Sequence, residues 1–288
     1  MTVRLAGKGN ANILIDYEDP VWLYRCCIKY PDSIQKCNEY TYNNIQFINT
    51  RMIPLLKDLV CPMTLVNVPA KEIYNIYKDY VDVNCADSDI IACLRIPNLR
   101  PSKKYSIRVQ SDHLTKIYTT KDNHSVLLEI KPKWLHNPTP YCRNCTDNSR
   151  KNRNIKYCYS ELLQDINQMR LIIETERKLK IPQQFIEIIT KYFIDKENVL
   201  QKLHDIQKSL HCDDGFKTPS QDNKDINDIQ TLMTLRDVSC FIEWDQTMLS
   251  ITDLKVNVVD VDLKSIDKMT YWKNTQSILD KYQLKVVH

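Results

Sequence analysis

Short apolar runs separated by polar positions open the chain, a pattern typical of β-strands. It predicts strands over Val3–Ala6, Ile13–Tyr17 and Trp22–Tyr30. The apolar spacing then lengthens to three or four residues, which predicts a helix over Tyr40–Leu59 and a second one over 69–80 that begins at a proline.

The remaining pattern returns to strands, passes through a helical block and ends in a strand pair and a helix. Strands are predicted over Ile90–Ile96, Tyr105–Val109, Ser125–Trp134, Val238–Trp244 and Lys255–Val261. Helices are predicted over Ser160–Leu179, Gln183–Cys212 and Ser265–Tyr282, with a polar loop over 213–224. This order of elements predicts an α+β fold of two lobes.

Composition is that of an ordinary globular protein. With 43% hydrophobic and 26% charged residues, the 288-residue chain can bury a sizeable core. No apolar run reaches the roughly 18 residues that a membrane helix needs, and the first residues lack the apolar segment of a signal peptide. We therefore expect a protein that stays inside the cell, with its eleven cysteines as reduced thiols or metal ligands rather than disulfides.

Positive charge is concentrated in one segment. The net charge is only +4, yet seven Lys or Arg residues against two acids lie between Glu129 and Cys158. A local field of this kind indicates an anionic ligand rather than general adhesion.

Two of the three glycines lie two positions apart, as Gly7-Lys8-Gly9 between the first two predicted strands. Glycine lets the main chain approach a phosphate and present its N–H groups to it. The segment matches neither a Walker loop nor a full G-x-G-x-x-G motif, so a plain hairpin turn is the alternative.

The segment Leu127–Trp134 combines a predicted strand with two lysines. If the strand continues, Glu129, Lys131 and Lys133 project together from one face while the apolar residues enter the core. Pro132 donates no ladder hydrogen bond, which fits a strand that leaves its sheet at a site. The alternative is a solvated edge strand, in which lysines discourage aggregation.

Cys142 and Cys145 form a Cys-x-x-Cys pair, and Cys158 follows thirteen residues later. With His136 as the fourth ligand, they would make a tetrahedral zinc site. Reduced structural thiols are the alternative, because the sequence has no second Cys-x-x-Cys pair.

Acidic residues flank the last predicted strand pair. Asp237 precedes Val238–Trp244, and Asp260 and Asp262 lie where Lys255–Val261 ends. Phosphoryl transfer requires one carboxylate that accepts a hydroxyl proton and another that holds Mg²⁺. Turn or capping aspartates are the alternative for each residue taken alone.

Together these segments resemble the inositol-pentakisphosphate 2-kinases, most closely the short fungal members. The family signature Glu-x-Lys-Pro-Lys is present as Glu129–Lys133, and Gly7–Asn12 is similar to the family's N-terminal nucleotide loop. Arg236-Asp237 and Asp260–Lys264 are similar to its two acidic motifs, and Cys142–Cys145 follows the lysine motif as in the short members.

The resemblance implies a two-lobed inositol phosphate kinase fold that is distantly related to protein kinases. Residues 1–112 would form an N-terminal lobe that holds the nucleotide phosphates. Residues 113–288 would form a C-terminal lobe with the inositol phosphate site and the catalytic and metal aspartates.

The resemblance also implies roles for individual residues. Asp237 would accept the proton of the inositol 2-hydroxyl, and Asp262, with Asp260, would hold Mg²⁺. Nucleotide contacts are implied for Gly7, Lys8, Gly9, Asn10, Ala11, Asn12, Arg25, Asp112 and His113. Substrate contacts are implied for Lys131, Lys133, Arg143, Lys156, Lys264 and Lys268.

The implied cofactors are ATP and Mg²⁺, and the implied reaction converts inositol 1,3,4,5,6-pentakisphosphate to inositol hexakisphosphate (phytate). We expect a monomer with no nucleic-acid or membrane partner, located in the nucleus and partly in the cytoplasm. Two alternatives stay open. One is a kinase for a less phosphorylated inositol, which the same lysines would serve. The other is a zinc-containing nucleic-acid-binding module over residues 136–158.

Overall fold

A computed structural model describes residues 3–82, 89–101, 105, 107–173, 181–210 and 223–288. Its contacts divide the chain into two compact units, Met1–Arg100 and Pro101–His288. Each unit contains helices and a five-stranded antiparallel sheet, which agrees with the predicted α+β class. The functional division into lobes 1–112 and 113–288 stays a prediction. Within the described residues, no helix is both long and apolar enough to span a membrane.

The first unit begins with three consecutive strands, close to where the sequence predicts them. Its strands are β1 (Arg4–Lys8), β2 (Asn12–Asp16), β3 (Trp22–Cys27), β4 (Thr64–Pro69) and β5 (Ile90–Pro97). They pair in the order β1-β2-β3-β5-β4. The sequence did not predict β4, because this edge strand buries only Val68 and so shows little apolar alternation.

Among the described residues of this unit, three α-helices accompany the sheet. They are α1 (Ile34–Phe47), α2 (Ile53–Leu56) and α3 (Ala70–Tyr77), and a π-helical turn at Ile48–Met52 joins the first two. α1 begins earlier than predicted because Ser33 caps it, its hydroxyl accepting a hydrogen bond from Lys36 N at 3.2 Å. α3 follows a proline, as predicted, and buries Ile73 and Tyr77 in the core with apolar residues of β2 and β3.

The lysine motif begins at the end of the central strand in the sheet of the second unit. The strands of this sheet are β6 (Ile107–Ser111), β7 (Thr115–Thr119), β8 (Ser125–Ile130), β9 (Ser239–Asp245) and β10 (Lys255–Val259). They pair in the order β10-β9-β8-β7-β6. Every residue of β8 is buried, so the expected alternation between a core face and a solvent face does not occur there. Of the predicted strand over 105–109, residue 106 lies outside the described residues.

The helices of the second unit differ most from the sequence pattern. They are α4 (Arg143–Arg150), α5 (Tyr159–Leu162), α6 (Gln168–Ile173), α7 (Gln183–Ile194), α8 (Val199–Ser209), α9 (Asn223–Leu235) and α10 (Met269–Lys281). The sequence pattern did not predict α4 and α9, because both helices are rich in polar residues. A single helix was predicted where α7 and α8 lie, but the Asn198 side chain caps α8 by accepting bonds from Leu200 N and Gln201 N. Residues 174–180 and 211–222, which include most of the predicted polar loop, lie outside the described residues.

Candidate active site

A cavity of about 410 Å³ in the second unit has a strongly cationic wall. Seven Lys or Arg side chains line it against two aspartates, Asp147 and Asp237. The cations are Lys133, Arg143, Lys151, Arg153, Arg236, Lys264 and Lys268. A concave surface with this excess of one charge attracts anions and holds them by charge-assisted hydrogen bonds.

The cavity brings together six of the residues that the sequence nominates. They are His113, Lys133, Arg143, Asp237, Lys264 and Lys268. Other nominated residues of the second unit do not line it, namely Asp112, Lys131, Lys156, Asp260 and Asp262. The cations that the sequence missed are Lys151, Arg153 and Arg236, although the first two belong to its basic segment and the third adjoins Asp237.

Asp237 is held between two lysines from distant parts of the chain. Lys133 Nζ lies 2.7 Å from Asp237 Oδ1, and Lys264 Nζ lies 2.6 Å from Oδ2. Partial burial raises the pKa of Asp237, but the charges of Lys264 and Lys133 outweigh it and hold that pKa below its ordinary value. Asp237 is therefore a carboxylate at neutral pH, half exposed to the cavity.

The turn that aims Lys133 is fixed by buried amide side chains. Lys133 has a left-handed backbone, with φ of 60°. Asn144 of α4 donates to the carbonyls of Pro132 and Trp134 at 3.2 and 2.9 Å and accepts from Trp134 N at 3.2 Å. Gln207 of α8, which is fully buried, donates to Lys133 O at 3.0 Å. These bonds compensate the backbone groups that leave the ladder after β8.

Trp134 lies between two guanidinium groups. The Arg143 and Arg236 guanidinium carbons lie 3.8 and 3.4 Å from its ring centroid. Arg143 Nε also donates to Gln276 Oε1 at 3.0 Å. Burial lowers the pKa of Arg143 to about 10, which leaves it charged at neutral pH. Cation–π contacts thus orient two positive groups toward the cavity.

Arg236 differs from the other cations because it is only 3% exposed. Its Nε and Nη2 atoms are buried and have no hydrogen-bond partner among the described residues. Burial and the nearby Arg143 charge lower its pKa. A buried cation next to Asp237 raises the positive potential of the cavity floor.

Glu129 and Lys131 are the first two charged residues of the lysine motif, and neither lines the cavity. Glu129 is buried and accepts a bond from Lys116 Nζ at 2.7 Å across the β7–β8 pair. Lys131 N donates to Leu114 O at 2.7 Å. The expected continuing strand with Glu129, Lys131 and Lys133 on one face is wrong, because β8 ends at Ile130 and Lys133 has a left-handed backbone.

Asp112 and His113 form the turn between β6 and β7. The Asp112 carboxylate accepts bonds from Leu114 N, Thr115 N and the Tyr157 hydroxyl at 2.7 to 2.8 Å. His113 lines the cavity, and burial and the Arg153 charge lower its pKa, so the ring is neutral at pH 7. Asp112 thus holds the turn, and His113 reaches the cationic wall.

Asp260 and Asp262 follow β10. Asp260 has a φ of 62° and accepts a bond from Ser239 Oγ at 3.0 Å. Val261 between them is fully buried, and Thr234 Oγ1 donates to Asp262 O at 2.8 Å. Two carboxylates on one short, anchored turn supply the oxygen donors that Mg²⁺ prefers, so this donor set fits the metal.

The glycine segment forms the hairpin between β1 and β2 in the first unit, where Gly9 N donates to Asn12 O at 2.8 Å. A Cβ built at Gly7 or Gly9 would meet its nearest neighbour at 3.6 Å, an ordinary contact, and neither residue has a left-handed φ. The fold itself therefore does not require either glycine. Lys8, Gly9 and Asn10 are exposed at the tip, so a ligand can approach the backbone there.

Arg25 on β3 is aligned across the sheet with Gly7 of this hairpin. Gly7 pairs with Leu14, and Leu14 pairs with Arg25 on β3. Directly paired residues share a face of a sheet, so Arg25 is on the face of Gly7, about 10 Å away across two strand spacings. Arg25 therefore shares a sheet face with Gly7, and its contact with a nucleotide stays a prediction.

The three cysteines of the basic segment converge with a histidine, but with a different one from that expected. Ligand atoms of Cys142, Cys145, Cys158 and His288 all lie within 4.8 Å of one another. The His136 ring instead makes an edge-to-face contact with His204, with centroids 5.7 Å apart. No sequence spacing could indicate His288, which is 130 residues beyond Cys158.

Comparison with known proteins identifies the family. The family profile for inositol-pentakisphosphate 2-kinase matches residues 6–171 and 160–277. The inositol-pentakisphosphate 2-kinase of Saccharomyces cerevisiae is 41% identical over 99% of both chains, and that of Candida glabrata is 40% identical over 99% of this chain and all of its own. The Kluyveromyces lactis enzyme is 34% identical over 98% of this chain and 96% of its own. This chain belongs to the inositol-pentakisphosphate 2-kinase family.

Proposed function

We propose that this chain transfers the γ-phosphoryl group of ATP to the 2-hydroxyl of inositol 1,3,4,5,6-pentakisphosphate and so forms inositol hexakisphosphate. The observation that carries the proposal is that seven cations line the cavity of the second unit together with Asp237, whose carboxylate contacts Lys133 and Lys264. We further propose the two-lobed architecture, distantly related to protein kinases, that the sequence resemblance implies.

The cavity suits a small and highly anionic substrate. Five phosphates on one six-membered ring carry more negative charge than any single Lys or Arg can offset, so several fixed cations must surround them. Lys133, Arg143, Lys264 and Lys268 come from four different elements or turns of the second unit. Cations fixed on separate elements can contact phosphates on different sides of the ring, and this fixes its orientation.

Asp237 has the form needed to orient a hydroxyl. A carboxylate accepts a hydrogen bond from the attacking hydroxyl and takes its proton as the bond to phosphorus forms. Lys133 and Lys264 occupy both of its oxygens. Substrate phosphates compete for the same ammonium groups, so binding would loosen this clamp and free a carboxylate oxygen for the 2-hydroxyl.

ATP would bind through the first unit and Mg²⁺ through the acidic turn of the second. The open backbone of Gly7–Asn12 would cover the nucleotide phosphates, with Arg25 as a charged partner, and His113 and Asp112 remain proposed nucleotide contacts. Asp262, with Asp260, would hold Mg²⁺, which neutralises charge on the phosphates when it is bound.

Product analysis tests the proposal. Purified chain is incubated with ATP, Mg²⁺ and inositol 1,3,4,5,6-pentakisphosphate, and the products are separated by anion-exchange chromatography. We expect inositol hexakisphosphate to accumulate with one ADP per turnover. Faster phosphorylation of a tris- or tetrakisphosphate would instead favour the less phosphorylated substrate, and no ADP with any inositol phosphate would contradict the proposal.

Partners and location are proposals of the same kind. We propose a monomer that acts in the nucleus and partly in the cytoplasm, without a nucleic-acid partner. The zinc-containing nucleic-acid-binding module is the weaker alternative, because Arg143, Lys151 and Arg153 of its basic segment line a concave cavity that also contains Asp237 rather than a flat basic surface. Retention of RNA or DNA on a filter with a steep salt dependence would favour that alternative.

A further inference from the structure

Four potential metal ligands converge beside the start of α4. The Sγ atoms of Cys142 and Cys158 lie 3.6 Å apart, and Cys145 Sγ lies 3.2 Å from His288 Nε2. A disulfide would require a separation of about 2.0 Å. Sulfur atoms that share a tetrahedral zinc ion, with bonds of about 2.3 Å, lie about 3.8 Å apart. The observed spacing is therefore that of ligands around a common centre.

The surroundings orient the histidine for such a centre. His288 Nδ1 lies 3.1 Å from Glu161 Oε2, while Nε2 faces the sulfurs. A carboxylate that accepts the Nδ1 proton leaves the Nε2 lone pair free for a metal, which is the usual arrangement around zinc-bound histidines. The Ser160 hydroxyl lies 3.0 Å from Cys158 Sγ and 3.6 Å from Cys142 Sγ, where it can donate to a thiolate.

The backbone also holds the histidine segment in place. Cys142 N donates to Val286 O at 2.8 Å, and Val286 N donates to Thr146 Oγ1 at 3.1 Å. These bonds attach residues 286–288 to the first turn of α4. Cys142 and Cys158 are buried, Cys145 is half-buried and the His288 side chain is 24% exposed, so solvent reaches the cluster mainly on the side of Cys145 and His288.

From this geometry we propose that Cys142, Cys145, Cys158 and His288 bind one structural Zn²⁺ ion. Three thiolates and one imidazole fill a tetrahedral site and leave no position for a reactant, so the ion is structural. Soft sulfur ligands in this geometry select zinc over magnesium or calcium. The net charge of the ligated ion is −1, which suits a position within a basic segment.

The proposed ion connects the second unit's last residues to the element that shapes the cavity. Cys142 immediately precedes α4, whose residues Arg143 and Asn144 contact Trp134. Metal binding would therefore fix the N-terminal end of α4. This role does not depend on which substrate the cavity accepts.

Metal content of the purified full chain tests the site. The protein is expressed in zinc-supplemented medium, purified without chelators and measured by inductively coupled plasma mass spectrometry. We expect about one zinc per chain in the wild type, and less than about a tenth of that in His288→Ala. His136→Ala is the matched control, since it removes the other candidate histidine, and should keep the full zinc content.

Two further measurements keep the proposal falsifiable if His288→Ala fails to fold. Glu161→Gln should bind zinc about 10–100-fold more weakly in competition with a chromophoric chelator. Cobalt-substituted wild-type protein should show a near-ultraviolet thiolate-to-cobalt band, and His288→Ala should alter its visible spectrum. A zinc-free wild type, an isolated Cys142–Cys158 disulfide, or equal zinc in wild type and His288→Ala would each overturn the proposal.

Discussion

We propose that the glycine hairpin of the first unit and the cationic cavity of the second unit both bind phosphate groups. The two regions would do so with different parts of the chain. The hairpin offers open main chain, and its glycines leave room that the fold does not need. The cavity offers side chains, and buried partners such as Asn144 and Gln207 hold its backbone in place.

This difference separates two ways of holding phosphate. Main-chain N–H groups can donate hydrogen bonds to the phosphates of any nucleotide. This contact requires that no side chain blocks the approach of the phosphates to the backbone. Fixed ammonium and guanidinium groups match a particular arrangement of charges and so select one anion. The comparison predicts that substitutions in the hairpin act on ATP, whereas substitutions in the cavity act on the inositol phosphate.

The largest effect is expected from Asp237→Asn. Without a carboxylate to take the hydroxyl proton, kcat should fall about 10²–10⁴-fold. Inositol pentakisphosphate should bind at least as tightly, because Lys133 and Lys264 lose their internal partner. Steady-state kinetics and isothermal titration calorimetry measure the two effects. Asp267→Asn, on an exposed turn, is the control, and weaker binding with normal turnover at saturation would contradict the role of Asp237.

Lys133→Ala should act on substrate affinity. Loss of a charge-assisted bond to phosphate costs about 1.5–3 kcal/mol, which corresponds to a roughly 10–100-fold higher KM for inositol pentakisphosphate. The KM for ATP should change little. Lys156→Ala is the matched control, since Lys156 is exposed and outside the cavity lining. A KM for inositol pentakisphosphate that equals the wild-type value in Lys133→Ala would show that Lys133 does not contact the substrate.

Asn144→Ala tests whether buried amides fix the cavity. Its three hydrogen bonds to the Pro132–Trp134 segment would be lost, and the free energy of unfolding should fall by about 1–3 kcal/mol. The KM for inositol pentakisphosphate should rise and that for ATP should not. Urea denaturation and kinetics measure both. Asn154→Ala, at an exposed position, should leave stability and KM unchanged.

Gly9→Ala tests whether the open main chain of the hairpin in the first unit binds ATP. A Cβ there meets only Asn12 O at 3.6 Å, so the free energy of unfolding should change by less than about 0.5 kcal/mol. The KM for ATP should rise about 3–10-fold because the methyl group keeps phosphate away from the backbone. An unchanged KM for ATP would indicate that the hairpin is a structural turn that does not contact the nucleotide.

The smallest effect concerns pH. The lysines lower the pKa of Asp237 in the folded state, so its ion pairs stabilise the fold above the ordinary carboxyl pKa of 3.8. This stabilisation is lost as the pH falls through the lowered folded-state pKa. The wild type should therefore be more stable than Asp237→Asn at pH 6, by less than about 1 kcal/mol because the group is half exposed, and the difference should shrink at pH 3. A difference that grows on acidification would contradict the pKa shift.

Local patterns predicted much of the fold and part of the site. The apolar runs predicted strands β1 to β3, β9 and β10. The glycines between the first two runs predicted the turn that joins β1 to β2. The lysine motif nominated Lys133, an aspartate that precedes a strand nominated Asp237, and the family resemblance nominated Lys264. In each of these cases, neighbours within a few residues decide the structure.

Long-range contacts account for what the sequence could not show. α4 forms in a polar segment because Asn144 is satisfied by the turn after β8, about ten residues earlier. Gln207 supports the same turn from 72 to 74 residues downstream, and no periodicity indicates such a role. His288 joins the cysteines only because residues 286–288 pair with α4. Glu129 was misplaced because both faces of β8 are covered, which its own sequence cannot reveal.

The most direct test of the account is a crystal structure of the Asp237→Asn variant with a non-hydrolysable ATP analogue and inositol 1,3,4,5,6-pentakisphosphate. We predict phosphates in contact with Lys133, Lys264 and Arg143, and the 2-hydroxyl oxygen within about 3.2 Å of the side chain at position 237. An inositol phosphate bound outside the cationic cavity, or one whose 2-hydroxyl points away from position 237, would contradict the account.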